Sequence, residues 1–266
     1  MKTSFVKILL LNLACLSGAW SAAAGQPATN TESVKLVADG KTFLKNGQMN
    51  EALWAFRQSA KAGNAEGAFA AGDLLLTQAK NSQGRERILK SSEGLRFIFV
   101  AATNRNAQAC IEMSEALQTG TGVQTNLIAA YAWLKLAGQF SPGLKPNLDR
   151  LVVLLEPGEV REAQDLEHEY QLGHWPANLV RTIDEGDPRL RIQGITVSSR
   201  GALVVLNNAT LAPGDTDEVY PANSSNHSAA SKLTITCREA GADYVLVAIA
   251  GEAHLKLLST DQLARY

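Results

Sequence analysis

Metal or acid–base chemistry in this chain would have to be built from its 4 histidines, His168, His174, His227 and His254. His168 and His174 stand six positions apart, which turns them to different sides of a helix, and the nearest cysteine is remote. Zinc-ligand spacing is therefore absent. Glu167 beside His168 reads as a solvated helix face rather than an acid–base pair. Nucleophilic and phosphate chemistry lack their motifs as well: there is no Gly-x-Ser-x-Gly elbow, no glycine-rich phosphate loop and no His-Glu-x-x-His. Cys110 and Cys237 are far apart in sequence and read as two separately buried thiols, although an oxidising compartment would permit a bridge. Trp54 and Trp133 sit at helical spacing among apolar residues, and core is the favoured reading over groove aromatics. The acidic run Asp215 to Glu218 reads as a solvated loop. No catalytic, cofactor-binding or metal-ligating residues are expected, and binding residues are not assigned individually.

The elements that would carry any other role are legible from composition and pattern. In 266 residues, 45% are apolar and 19% charged, enough for two modest domains with real cores. Aromatics at 6% and a net charge of −1 give no electrostatic basis for nucleic-acid binding. Residues 1–24 have the order of a secretory signal peptide: Lys2 and Lys7, an apolar run from Ile8 to Leu16, then Ser21-Ala22-Ala23-Ala24. The run is shorter than the ~20 apolar residues of a spanning helix. Leu13-Ala14-Cys15 also invites acylation of Cys15, against which Asn12 stands where such signals carry Leu. Without the leader, 23 basic residues face 26 acidic ones, a net charge of −3. Export follows as the expectation: periplasmic in a Gram-negative host, otherwise secreted. Asn208, Asn223 and Asn226 head glycosylation triplets that a bacterial host would leave bare.

After a short linker at 25–32, the chain repeats itself. Glu51-Ala52-Leu53, Glu93-Gly94-Leu95 and Ala129-Ala130-Tyr131 align, followed four positions on by Phe56, Ile98 and Leu134, and four later by Ala60, Ala102 and Gly138. One helix face is thus marked three times. Near-identical turns, Ala62-Gly63-Asn64-Ala65-Glu66 and Asn104-Arg105-Asn106-Ala107-Gln108, supply a helix stop and a capping Asn. Each unit reads as a helical hairpin that must stack on its neighbour to bury both faces. Helices near Glu66 to Thr77 and Gln108 to Thr119 would line the groove.

The stretches "EALWAFRQSAKAGNAEGAFAAGDLLL" and "GTGVQTNLIAAYAWLKLAG" resemble Sel-one-like repeats, relatives of the tetratricopeptide repeat, of an exported bacterial type. Leu148 to Gly173 is similar to helices that cap such arrays. The resemblance covers about residues 33–175. The first unit departs from it by lacking the Gly-x-Gly-Val loop, and "AKNSQGRERILKSSEG" makes the second irregular. What the resemblance implies is a non-enzymatic adaptor holding a protein or peptide on a groove, with no small-molecule cofactor.

Past a linker at 176–189 the period changes from helical to two. Runs at Leu190–Val197, Ala202–Leu206, Leu233–Arg238, Tyr244–Ile249 and His254–Leu258 predict a small antiparallel sheet or open barrel over 190–266. The order of its elements is loosely similar to periplasmic β domains of pilus and type II secretion assembly proteins, which implies docking to an envelope complex. The expected fold is α+β: a helical superhelix followed by a small, mainly antiparallel β domain. A cell-envelope hydrolase is the remaining, least supported alternative.

Overall fold

The computed structural model describes residues 30–176, 179–180, 182–199, 201–222 and 231–260; the leader, His227, Asn223 and Asn226 lie outside them. The described chain is α+β, with helices first and strands after.

Three antiparallel pairs form the array: α1 (Asn30–Lys45) with α2 (Met49–Lys61), α3 (Ala65–Lys80) with α4 (Gly84–Thr103), and α5 (Ala107–Thr119) with α6 (Leu127–Gly138). Shorter α7 (Lys145–Val152) and α8 (Pro157–Gln171) close it against α6. Local chemistry sets the boundaries. The Asn64 side chain accepts from the backbone N–H of Glu66 and Gly67, and Asn106 and Asn126 accept from Ala109 and Ala129, so each satisfies N–H groups that the first helical turn leaves open. Gly63 supplies the left-handed residue before one of these caps at φ +82°, and Arg105 holds the matching place at φ +63°. At the start of α8, Pro157 occupies the first turn, and Glu156 and Glu159 form a capping box.

Small residues let the units close up. A Cβ on Gly72 would lie 2.8 Å from the Gly94 carbonyl oxygen, and one on Gly94 would lie 3.1 Å from that of Gly72. Helices α3 and α4 therefore touch backbone to backbone. The aligned positions Ala52, Leu53, Phe56, Leu95, Ile98, Ala102, Ala130, Tyr131 and Leu134 are all buried. Trp133 is fully buried, stacked on Trp175 with centroids 5.3 Å apart and against Tyr170 at 4.7 Å. Trp54, expected in the core, is 58% exposed. Leu53 and Phe56 hold the buried stripe of α2, and the residue after Leu53 turns about 100° away from it.

Eight strands follow among the described residues: β1 (Ile183–Glu185), β2 (Ile192–Ser198), β3 (Gly201–Leu206), β4 (Ala209–Leu211), β5 (Thr216–Val219), β6 (Leu233–Ala240), β7 (Tyr244–Ile249) and β8 (Leu255–Ser259). They make two sheets rather than one: β1-β8-β7-β6-β5, with β1 parallel to β8, and β2-β3-β4. The five runs read from the sequence are strands, and β1, β4 and β5 are additions of three or four residues each, too short to show a period. The run Asp215 to Glu218 is largely strand β5, not a loop; it lies at a sheet edge, where exposed Asp217 and Glu218 discourage further pairing. The stretch 176–189, expected as a connection, contains β1.

Every residue of β7 is buried. Val245, Val247 and Ile249 face a core shared with Val204, Leu206 and Leu211 of the second sheet, while Tyr244 and Leu246 pack with Leu257 against Ile88 of α4. The first sheet is thus sandwiched between the second sheet and the first half of α4. Ion pairs of Arg85 with Glu185 and Arg87 with Glu239 flank that contact. The segment Ala79–Gly94, irregular as a repeat, is the part of the array that docks the β unit.

Candidate functional site

Helix α4 separates two hollows. On one side, α3, α4 and α5 enclose a groove of about 370 Å³ lined by Asp73, Leu76, Lys80, Arg87, Leu95, Glu112, Glu115 and Thr119, among others. Asn64 and Asn106 set the phase of α3 and α5, so that residues between buried Ala71 and Leu74, and between buried Cys110 and Met113, border the groove. Burial, then the charges of Asp73 and Glu115, push the Glu112 carboxyl up to about 7, against a smaller opposing pull from Lys80. Its Oε2 is buried and has no hydrogen-bond partner among the described residues. An unpaired carboxyl oxygen in a partly dry groove is costly, and a cation brought alongside would relieve that cost.

On the other side, a cavity of about 570 Å³ lies between α4, the Gly120–Asn126 loop and the first sheet. The Gly-x-Gly-Val motif builds its wall. Gly120 caps α5 at φ +75°, and a Cβ on Gly122 would lie 2.8 Å from Leu95, so the loop lies directly on α4. A third hollow, of about 370 Å³, borders the Asn207–Asn208 turn. Its Asn207 amide is fully used: Nδ2 donates to the carbonyls of Arg189 and Tyr220, and Oδ1 accepts from Arg191 N–H.

Of the titratable residues singled out in the sequence, Glu167, His174 and His254 have structural partners, and His168 is exposed on α8. Glu167 is not a solvated face residue: it is buried on the α8 stripe with Ala163 and Tyr170. Gln139 donates to its carboxylate at 2.5 Å, Gln171 donates as well, and Lys135 lies 3.3 Å away. The contacts from Lys135 of α6 and Gln139 at its C-terminal cap clamp α8 to α6. His174 Nδ1 is 2.6 Å from Glu169, and His254 Nδ1 is 3.0 Å from Asp184. Burial alone would raise the Asp184 carboxyl, but hydrogen bonds and charge from Lys256 and His254 hold it below its ordinary value. Burial pushes the Cys110 thiol up to about 12, and burial with the Asp215 charge pushes Cys237 up to about 11. Both are free thiols in different cores, held in the unreactive protonated form. Among the described residues, no three His, Cys, Asp or Glu side chains are grouped to hold a metal, and no helix is long and apolar enough to cross a membrane.

Neither Glu112 nor Arg238, the residues that give the two hollows their charge, was singled out by sequence reasoning. A lone Glu on an amphipathic helix carries no motif, and the pattern identifies the segment Gln108 to Thr119 only as groove-lining. No family model matches the chain, and no curated protein does. Among solved structures it is similar to a protective antigen present in uropathogenic Escherichia coli strains and displaying an SLR fold, at 20% identity and a TM-score of 0.47. That likeness covers 53% of this chain and 30% of the antigen, less than two thirds of the antigen's length.

Proposed function

We propose that this chain is an exported, non-enzymatic scaffold that holds a protein or peptide partner in the groove between α3, α4 and α5, with a Lys or Arg of the partner set against Glu112. One observation carries the reading: a buried, unpartnered carboxyl oxygen sits in a groove that also holds Asp73 and Glu115. The stacked hairpins support it, because such arrays offer extended surfaces rather than enclosed reaction chambers. Export rests on the leader read in residues 1–24, with the periplasm as the compartment in a Gram-negative host. Partner capture on an envelope complex fits that location.

The test is affinity capture from a native envelope fraction with the full chain and with a variant carrying Glu112→Gln, Asp73→Asn and Glu115→Gln. Loss of the captured partner in the variant is the expected outcome; undiminished capture would overturn the groove assignment. A partner cation would pair with the ionised form of Glu112, so capture is expected to weaken as pH falls through about 7. The reading in which the β unit does the docking, as in pilus or secretion assembly, is favoured by Val197 and Leu203, 58% and 48% exposed on the second sheet. It predicts capture that survives the groove variant and is lost with Val197→Lys and Leu203→Lys.

A further inference from the structure

The cavity on the sheet side of α4 has a construction that the scaffold reading does not use. Strand β6 pairs Cys237 with Val247 and then Glu239 with Leu246, so Arg238 is an extra residue, a β-bulge. Bulges redirect side chains and concentrate beside functional sites. Regular alternation would send Arg238 and Glu239 to opposite faces, yet both line this cavity. Glu239 is already engaged there, by the Arg87 guanidinium and by the Tyr244 hydroxyl, which donates at 2.8 Å. Arg87 is thereby neutralised. Arg238 has no carboxylate partner among the described residues and leaves the cavity with one unmatched positive charge. The rest of the wall is mixed: Ile88, Leu117, Val123, Leu179, Leu246 and Leu255 supply apolar surface, and Ser91, Gln124, Thr125 and Asn126 supply polar groups beside it.

We propose that this cavity binds a small amphiphile, an apolar chain or ring bearing a single carboxylate, with the carboxylate against Arg238 and the apolar body against Ile88, Leu117 and Leu246. The size fits, since about 570 Å³ lies within the usual range for small-molecule pockets, and the site lies at a junction between two units, where such pockets concentrate. The charge fits one anion: a second would meet Glu239, and a cation would meet Arg238 without compensation.

Isothermal titration of the full chain with octanoate tests this, with octan-1-ol and octylamine as controls for the charge. The expected result is saturable one-to-one binding of octanoate, weakened about tenfold or more by Arg238→Gln and largely retained in Arg238→Lys. Arg238 is exposed, so the unliganded variants should melt with the wild-type protein. Absence of saturable octanoate binding would overturn the proposal. So would octylamine binding as tightly as octanoate, or Arg238→Gln binding octanoate like the wild type. The groove variant carrying Glu112→Gln should bind octanoate normally, which separates this site from the scaffold reading.

Discussion

The two halves of α4 are held by different physics. Its second half meets α3 across Gly72 and Gly94, where backbones touch and only small residues fit. Its first half meets the β sheet through one buried isoleucine, Ile88, set against Tyr244, Leu246 and Leu257, with Arg85 and Arg87 paired to acids at the flanks. A close approach of the first kind is found again between α2 and α3, where a Cβ on Gly67 would lie 3.2 Å from the Ala60 backbone nitrogen. The second occurs once, joins segments 100 or more residues apart in sequence, and leaves a hollow on each side of the helix.

The largest way to break this comparison is Ile88→Asp, which places a charge between α4 and the sheet. Burying an unpaired carboxylate costs several kcal/mol. The β unit is expected to undock, giving two urea transitions where the wild-type protein gives one, and a new proteolytic cut between about residues 176 and 189. A single wild-type-like transition would mean that the docking contributes little. Next in size is Gly94→Val in the other half. The Cβ would press on the Gly72 carbonyl and the Leu76 side chain, and overpacking of this kind costs about 1–3 kcal/mol. It should lower the urea midpoint while leaving the β unit docked.

The smallest effect belongs to Glu112, and it depends on pH. Burial pushes its carboxyl up to about 7 from an ordinary 4.5, so between these values the folded chain holds a proton that the unfolded chain has lost. The contribution of Glu112 to stability is therefore fully present below about pH 4.5 and is lost as pH rises through about 7. Glu112→Gln should remove this slope, leaving the variant more stable than wild type above about pH 7 by on the order of 1 kcal/mol. Parallel pH–stability curves for the two proteins would contradict the burial of Glu112.

Legibility in the sequence divides along the same line as α4. Repeating features were readable because each was written several times: the i, i+4, i+8 stripe that starts at Ala52, Gly94 and Ala130, and the Asn caps at positions 64 and 106, appear in one unit after another. Period-two runs revealed the long strands in the same way. Features that exist once were not readable. Ile88 looks like a lapse in the repeat until Tyr244 is seen against it. Glu167 passes for a surface acid until α6 supplies Lys135 and Gln139. Strand β1 has three residues and takes its identity from Leu255–Leu257 across the sheet. Of the candidate site, the helices lining the groove could be marked from sequence. The charge of its floor could not, because Asp73, Glu112 and Glu115 come from two helices whose facing is set by tertiary packing.

The claim that the groove of the array is the binding surface is tested most directly by site-specific photocrosslinking. A benzoylphenylalanine at Thr119, which lines the groove, would be compared with one at Glu162, exposed on α8, and one at Leu203, exposed on the second sheet. Illumination in cells should give a discrete protein adduct from position 119 and none from 162 or 203, and Glu112→Gln should diminish it. An adduct from position 203 with none from 119 would contradict the account and move partner binding to the β unit.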